Sequence, residues 1–264
     1  MEIKKYLITL LLLLFCIACE NDQVVDISDF YKEKVVVRAE LVKDSLFEGV
    51  SITRTLPLNS QYDFNKAEFE SFTGYLRIDN TVIIPLHYSG DGIYKPLHNL
   101  IINGNKKYEL IVNAGGTQIY AETYIPDTTV ILKTYYKENT FLEARVLPNS
   151  KYSYGAVWAL ESVTNPEYSD DFFSLVEPLN NSGTITVQTK AFPEAYLTNQ
   201  ALRIQLFTFD KKFTEYFKTK KYSQSITNSY GQGGGPVTWN VQGENVIGIF
   251  IGYSRTGLIK PDRD

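Results

Sequence analysis

The segment KYELIVNAGGTQIYAETYIP at residues 107–126 constrains the fold most, because apolar side chains recur at every second position on both sides of a glycine pair. A period of two puts successive side chains on opposite faces of a β-strand. Gly115-Gly116 can supply the positive φ angles of a tight turn. The segment therefore predicts a β-hairpin with one buried face.

Shorter segments of the same kind extend along the chain beyond residue 34, and the aromatic content of 14% suits pleated sheets. About seven short strands, separated by turn residues, favour an immunoglobulin- or fibronectin-like β-sandwich in the first half. Pro126-Asp127-Thr128 marks a break, after which strand patterns resume. We therefore predict a mainly β chain, with an N-terminal β-sandwich domain at 35–126 and a second β-rich domain at 127–264.

One segment of the second domain has the periodicity of a helix. Asp210 can cap it, and Phe213, Tyr216 and Phe217 then share one face. Lysines near the end of the segment suit the negative end of a helix dipole. The second domain is therefore predicted to contain one helix at about residues 210–222.

An apolar run from Tyr6 to Ala18 follows two lysines and stops at Cys19. It is shorter than the about 20 residues that a spanning helix needs, and it fits a secretory signal peptide. Its ending, Cys16-Ile17-Ala18-Cys19, resembles a bacterial lipobox. A buried helix is a weaker interpretation, because the run lies at the terminus and has no polar face, and a Cys-x-x-Cys redox pair would lie beside a βαβ pattern. We predict that residues 1–18 are a lipoprotein signal peptide and that Cys19 is lipidated.

The residues after the signal peptide, 19–34, comprise the lipidated cysteine and a polar, acidic tether. Glu20 and Asp22 resemble the acidic signal that sends Bacteroidota lipoproteins to the cell surface, although any solvated tether contains acids. Cleavage would remove Cys16, and lipid would occupy Cys19. Since the chain has two cysteines, we expect no disulfide.

Composition and motifs argue against several functions. A net charge of −4 gives no electrostatic reason to bind nucleic acid. The two histidines, His87 and His98, are fewer than a usual zinc site needs. The sequence GQGGGP at 231–236 lacks the Gly-Lys-Ser/Thr of a phosphate loop, and the chain has no Gly-x-Ser-x-Gly elbow. We therefore predict no cofactor, no catalytic residue and no enzyme activity.

Asp170 and Asp171 belong to an acidic loop. Clustered carboxylates are calcium ligands, but these two lack the spacing of a dedicated calcium loop. A glycosidase pair must be separated by roughly 5 Å or more across a sugar, which neighbours on one loop seldom achieve. Solvated acids are the simpler interpretation, and no metal is predicted.

Aromatic residues and glycines gather between residues 210 and 239. Exposed together, they would form a platform for a sugar or a protein partner; buried, they would only stabilise the fold. Phe213, Phe217 and Trp239 fit a core position better. The predicted partner-binding residues are Tyr216, Tyr222, Tyr230, Gly233 and Gly234.

Several motifs occur together along the chain: V-x-I-T-R at 50–54, the hairpin strands Y-x-L-x-V and A-x-T-x-I-P at 108–126, the aromatic helix, and an ending with Pro236, Asn240, Gly248 and Phe250. This layout resembles a family of Bacteroidota outer-membrane lipoproteins, domain-of-unknown-function family 4249. Val246 stands where that family usually has a glycine. The resemblance implies a cell-envelope accessory protein near TonB-dependent transporters, without known catalytic residues.

We therefore predict a non-enzymatic outer-membrane lipoprotein, held in the membrane by its N-terminal lipid and exposed at the cell surface if the acidic tether is an export signal. It would assist a TonB-dependent transporter or capture a carbohydrate or peptide ligand. A structural or adhesive surface protein, and a hydrolase with an unrecognised site, are the alternatives.

Overall fold

The computed structural model describes residues 31–57, 61, 63–69, 72–114, 116–138, 140–161, 167–168, 172, 174–197, 201–224 and 237–262. Residues 33–56 and 62–264 form one compact unit, which is described below, and residues 1–32 and 57–61 group separately. Among the helices of the described residues, none is both long enough and apolar enough to cross a membrane.

The predicted fold class, mainly β, is confirmed: the described residues form a β-rich, sandwich-like fold. Its strands are β1 (Val35–Val42), β2 (Val50–Arg54), β3 (Thr73–Ile78), β4 (Val82–Tyr88), β5 (Ile93–Lys95), β6 (Lys106–Ala114), β7 (Thr117–Ile125), β8 (Ile131–Lys137), β9 (Phe141–Val146), β10 (Tyr152–Leu160), β11 (Glu167–Tyr168), β12 (Ile185–Gln188), β13 (Leu202–Asp210), β14 (Val241–Gln242) and β15 (Val246–Arg255). The helices are α1 (Phe64–Ala67), α2 (Lys212–Gln224) and a 3-10 turn, Glu194–Tyr196.

The described strands form a twelve-stranded sheet and a three-stranded sheet. The large sheet has the order β11-β10-β13-β15-β1-β2-β5-β4-β3-β6-β7-β14, and the small sheet has the order β12-β9-β8. Most neighbours are antiparallel, but β15 runs parallel to β1, with Val246 opposite Val35. The last described strand of the sequence is therefore an interior strand of the large sheet.

Gly248 makes the close approach of β15 to β1 sterically feasible. Its φ of +152° lies in a region that residues with a side chain rarely adopt. A Cβ atom at this position would overlap the backbone of Val37 on β1. Glycine is therefore required where the two strands meet.

The hairpin predicted at residues 107–126 is confirmed by β6 and β7, which pair with Leu110 opposite Ala121. Gly116 has a φ of +83°, as a tight turn requires, while Gly115 lies outside the described residues. Alternate residues of β7 are buried, as the pattern of period two predicts. The other alternate residues form the outward face of the sheet, where the candidate site lies.

Two hydrophobic cores fill the unit. The first is built mostly from residues 37–125, and Val241 and Phe250 join it from the C-terminal part. The second packs the small sheet against β10 and β13, with Trp158 and Ile204 among its members. The boundary predicted between residues 126 and 127 stays a prediction, although these two cores lie mainly on either side of it in the sequence.

The predicted helix at about residues 210–222 is confirmed by α2, which spans Lys212–Gln224. Asp210 ends β13 and caps this helix, because its Oδ1 accepts a hydrogen bond of 3.2 Å from the Lys212 backbone N–H. Its Oδ2 accepts a second bond of 3.0 Å from the Tyr124 backbone N–H on β7. One carboxylate thus ties the start of α2 to the first half of the chain.

Candidate functional site

A row of charged side chains crosses the outward face of β3, β6 and β7. Register places Arg77 opposite Glu109 and Glu109 opposite Glu122. Their neighbours in sequence, such as Leu76 and Leu110, are buried in the first core. Because side chains alternate across a strand, the three charged residues must share the other face.

Glu109 is the centre of this row and is 2% exposed. Arg77 holds it with two parallel bonds, from Nε to Oε2 at 2.7 Å and from a terminal guanidinium nitrogen to Oε1 at 3.0 Å. Such a two-pronged pair fixes the carboxylate plane as well as its charge. The row is therefore geometrically rigid at its middle.

The carboxylates of Glu109 and Glu122 are bridged by two donors that contact both of them. The Tyr120 hydroxyl lies 2.8 Å from an oxygen of Glu109 and 2.8 Å from an oxygen of Glu122. The Lys107 ammonium lies 3.0 Å and 2.9 Å from the same two carboxylates. Lys212, at the start of α2, forms a further ion pair with Glu122. We call these residues the charged row: Arg77, Lys107, Glu109, Tyr120, Glu122 and Lys212.

The hydrogen bonds of the charged row set the protonation of its members. Arg77 is the main cause that lowers the pKa of Glu109 to about 2. Lys212 and then Lys107 lower the pKa of Glu122 to about 2. Burial and the two neighbouring carboxylates raise the pKa of Tyr120. At neutral pH the carboxylates are therefore ionised and the phenol is protonated, which suits fixed hydrogen bonding better than proton transfer.

A groove of about 490 Å³ opens on the same outward face beside the charged row. One side of it is apolar and aromatic, and the other is polar and uncharged. The apolar lining comprises Tyr75, Ile83, Pro85, Ile111 and Val112, and the polar lining comprises Thr73, Asn113 and Gln118. We call this the outer-face groove.

A second, smaller groove of about 300 Å³ lies beside β4 and contains both histidines, His87 and His98. The rest of its lining is largely apolar and includes Pro96, Leu97 and Leu100. Within the described ranges, no group of three or more His, Cys, Asp and Glu side chains could hold a metal ion.

Of the predicted partner-binding residues, Tyr216 is described most fully. It is half-buried on α2, its ring centroid lies 5.6 Å from that of Trp239, and the Lys220 ammonium lies 5.7 Å from its ring centroid. Trp239 is 37% exposed, so the expectation that it belongs to the core is wrong. Its ring packs on the half-buried Tyr216 of α2 and joins neither hydrophobic core, which leaves part of the indole at the surface.

The remaining predicted sites fall mostly on other parts of the chain. Cys19, Asp170, Asp171, Tyr230, Gly233 and Gly234 lie outside the described residues. Tyr222 lies within α2, but its side chain is likewise outside the description. The predicted lipidation, the calcium alternative and most of the aromatic platform therefore stay predictions.

Comparisons with known proteins give no assignment. No family model matches the chain, and no curated protein matches it either.

The charged row and the outer-face groove are the features that the sequence reasoning missed. A signal was present, since Arg77 and Glu109 each stand between two apolar residues of their strands, and Glu122 stands between Ala121 and Thr123, which are both buried. A single strand, however, does not reveal which outward residues will be neighbours. That information comes only from the register between strands.

Proposed function

We propose that this protein is a non-enzymatic, lipid-anchored protein of the bacterial outer membrane that captures a ligand and assists a TonB-dependent transporter. The observation that carries the binding role is the outer-face groove, a concave site of about 490 Å³ on a rigid sheet. Binding sites for small ligands typically have volumes of roughly 300–1,000 Å³ and combine apolar walls with a few polar groups.

The charged row favours binding over catalysis. A general acid or base works best with a pKa near the working pH. Arg77 and Lys212 instead hold the carboxylates of Glu109 and Glu122 at pKa values of about 2. Because these carboxylates and cations are paired with one another, they hold the outward face in a fixed geometry against which a ligand can bind.

The membrane attachment and the transporter partner rest on the sequence. The apolar run that ends at Cys19 has the length and flanks of a lipoprotein signal. The resemblance to domain-of-unknown-function family 4249 supports a transporter as the partner. The predicted partner face includes Tyr216 on α2, which packs against the exposed Trp239.

Replacement of Cys19 by Ser tests the anchor. We expect the variant to move from the membrane fraction to the soluble fraction, because the acyl chains hold the protein by about 0.8 kcal/mol per buried methylene. Cys16→Ser is the matched control and should remain in the membrane fraction. Equal membrane recovery of Cys19→Ser and wild type would contradict the proposal.

A pull-down from native membranes tests the partner. Wild-type protein should recover a TonB-dependent transporter, and deletion of residues 231–234 or substitution of Tyr222 and Tyr230 by Ala should reduce recovery. Tyr135→Ala, on β8 of the small sheet, serves as a control for loss of a tyrosine. Unchanged recovery with well-folded variants would move the contact surface away from α2 and its following loop.

A further inference from the structure

The outer-face groove presents its polar side chains in a single row. Register places Thr73 on β3 opposite Asn113 on β6, and Asn113 opposite Gln118 on β7. All three side chains are exposed. Directly opposite residues on one face have Cβ atoms about 4.5–5.5 Å apart, so a hydroxyl and two amides line up across three strands.

The next row along the strands is apolar and aromatic. Tyr75 on β3 stands between Pro85 on β4 and Ile111 on β6. Pro85 and Ile83 are exposed, while Tyr75 and Ile111 are half-buried. Rows two residues apart on a strand are separated by about 6.6 Å, so one ligand can touch both. The groove thus combines an aromatic row with a row of hydrogen-bonding groups.

The lining of the groove is uncharged: the described residues around it include no Asp, Glu, Lys, Arg or His. The neighbouring Glu109 and Arg77 are paired with each other at 2.7 Å and therefore offer a bound molecule no unpaired charge. An anionic or cationic ligand would lose its hydration without gaining a counter-charge. These features favour a neutral ligand.

The position of the groove also argues against a peptide strand as the ligand. Peptides added to a sheet pair with the backbone of an exposed edge. Here β3 and β6 are interior strands, paired on both sides, so their backbone groups are used within the sheet. Recognition must come from the side chains on the face.

We propose that the outer-face groove binds a neutral oligosaccharide, with a sugar ring against Tyr75 and hydroxyl groups on Asn113, Gln118 and Thr73. Sugars present apolar C–H faces that suit an aromatic ring. Their hydroxyls both donate and accept hydrogen bonds, as amide side chains do. This inference rests on the proposed binding function and names the class of its ligand.

The test uses the full-length lipidated protein in a detergent without a sugar headgroup, because a glycosidic detergent would compete. Titration calorimetry against maltohexaose, cellohexaose, laminarihexaose and xylohexaose measures binding of neutral sugars. Hexagalacturonate and a deca-alanine peptide are the charged and peptide probes. We expect a neutral hexasaccharide to bind and the other two probes not to bind.

Tyr75→Ala should weaken binding of that hexasaccharide about tenfold, in line with the energy of an aromatic contact. Gln118→Ala, at an exposed position on β7, should weaken it about fivefold. Tyr135→Ala on the small sheet should change affinity less than about twofold, since it lies outside the groove.

Three results would overturn the inference: no hexasaccharide binds at millimolar concentration, the charged or peptide probe binds more tightly, or both groove variants retain wild-type affinity. Failure of the proposed ligand can be distinguished from failure of the proposed function. Recovery of a transporter without sugar binding overturns the ligand alone. Sugar binding by a protein that remains in the membrane without Cys19 overturns the anchor alone.

Discussion

At the scale of single residues, Glu109 is the carboxylate to which most of the charged row on the outward face is bonded. It is buried, yet it accepts bonds from Arg77, Lys107 and Tyr120, which lie on three different strands. A buried charge is tolerated when its bonding capacity is filled in this way. The residue therefore links β3, β6 and β7 through side chains in addition to the backbone ladders.

Glu109→Gln should lower the free energy of unfolding by about 2 kcal/mol, because the cations around it lose their partner while remaining partly buried. Denaturation in urea measures the loss. Glu138→Gln is the matched control, since the Glu138 side chain is 72% exposed and 3.8 Å from the Lys137 ammonium. It should change stability by less than about 0.5 kcal/mol. Equal effects of the two variants would show that the charged row does not stabilise the fold.

The same row predicts how stability depends on pH. The pKa values of Glu109 and Glu122 fall from an ordinary 4.5 to about 2 on folding. Their contribution is therefore fully present above about pH 4.5 and is lost as the pH falls towards about 2. Unfolding free energies measured between pH 6 and pH 2 should fall over this window. A double variant, Glu109→Gln with Glu122→Gln, should show a flatter profile, and an unchanged profile would refute the assignment.

At the scale of elements, α2 is fastened by its first turn and its aromatic face. Phe213 stacks on Phe209 of β13 with ring centroids 4.4 Å apart, and Phe217 lies 6.2 Å from Phe172. Asp210 adds the cap and the bond to Tyr124 on β7. The aromatic contacts hold the helix on the sheet, and the carboxylate fixes where the helix begins.

Asp210→Ala should destabilise the protein by about 1–2 kcal/mol, because both a helix cap and the half-buried acceptor of the Tyr124 backbone N–H are lost. Asp63→Ala is the comparison, since Asp63 caps the short helix α1 through a bond of 3.1 Å from the Asn65 backbone N–H. That variant loses a cap without a link between distant strands, and we expect a smaller change. Thermal or chemical denaturation compares them, and an equal loss would mean that the bond to Tyr124 contributes nothing.

The hairpin and the helix could be predicted from the sequence because each is specified by neighbouring residues. The β6–β7 hairpin and α2 are each specified by residues close together in the chain, through a glycine turn, a cap and a regular period. The pairing of β1 with β15 has no local signal, because more than two hundred residues separate Val35 from Val246. The outer-face groove could not be predicted for the same reason, because it forms only when β3, β6 and β7 are paired in register.

At the scale of the whole molecule, β15 connects the two halves of the large sheet. It pairs with β1 on one side and with β13 on the other. It also packs on β7, where the Gly252 backbone N–H donates a bond of 2.9 Å to the Thr123 hydroxyl. Phe250 on this strand belongs to the first core, and β13, with which the strand pairs, supplies residues of the second core.

Gly248→Ala should destabilise the protein by more than about 2 kcal/mol, because the added methyl group meets the Val37 backbone and φ is unfavourable. Gly257→Ala is the matched control, as a Cβ atom there meets nothing within 4 Å. It should leave the midpoint of urea denaturation almost unchanged. Wild-type stability of Gly248→Ala would show that β1 and β15 are less tightly apposed than described.

The interior position of β15 also sets an order of events in time. A ribosome makes this strand after all the other described strands, so β1 and β13 must wait for the partner that lies between them. Contacts between residues far apart in sequence form slowly, and the exposed edges meanwhile favour aggregation. If the chain is exported as proposed, the delay is useful: the large sheet cannot close before β15 has been made, and until then the polypeptide stays loose enough to be threaded through a translocation channel.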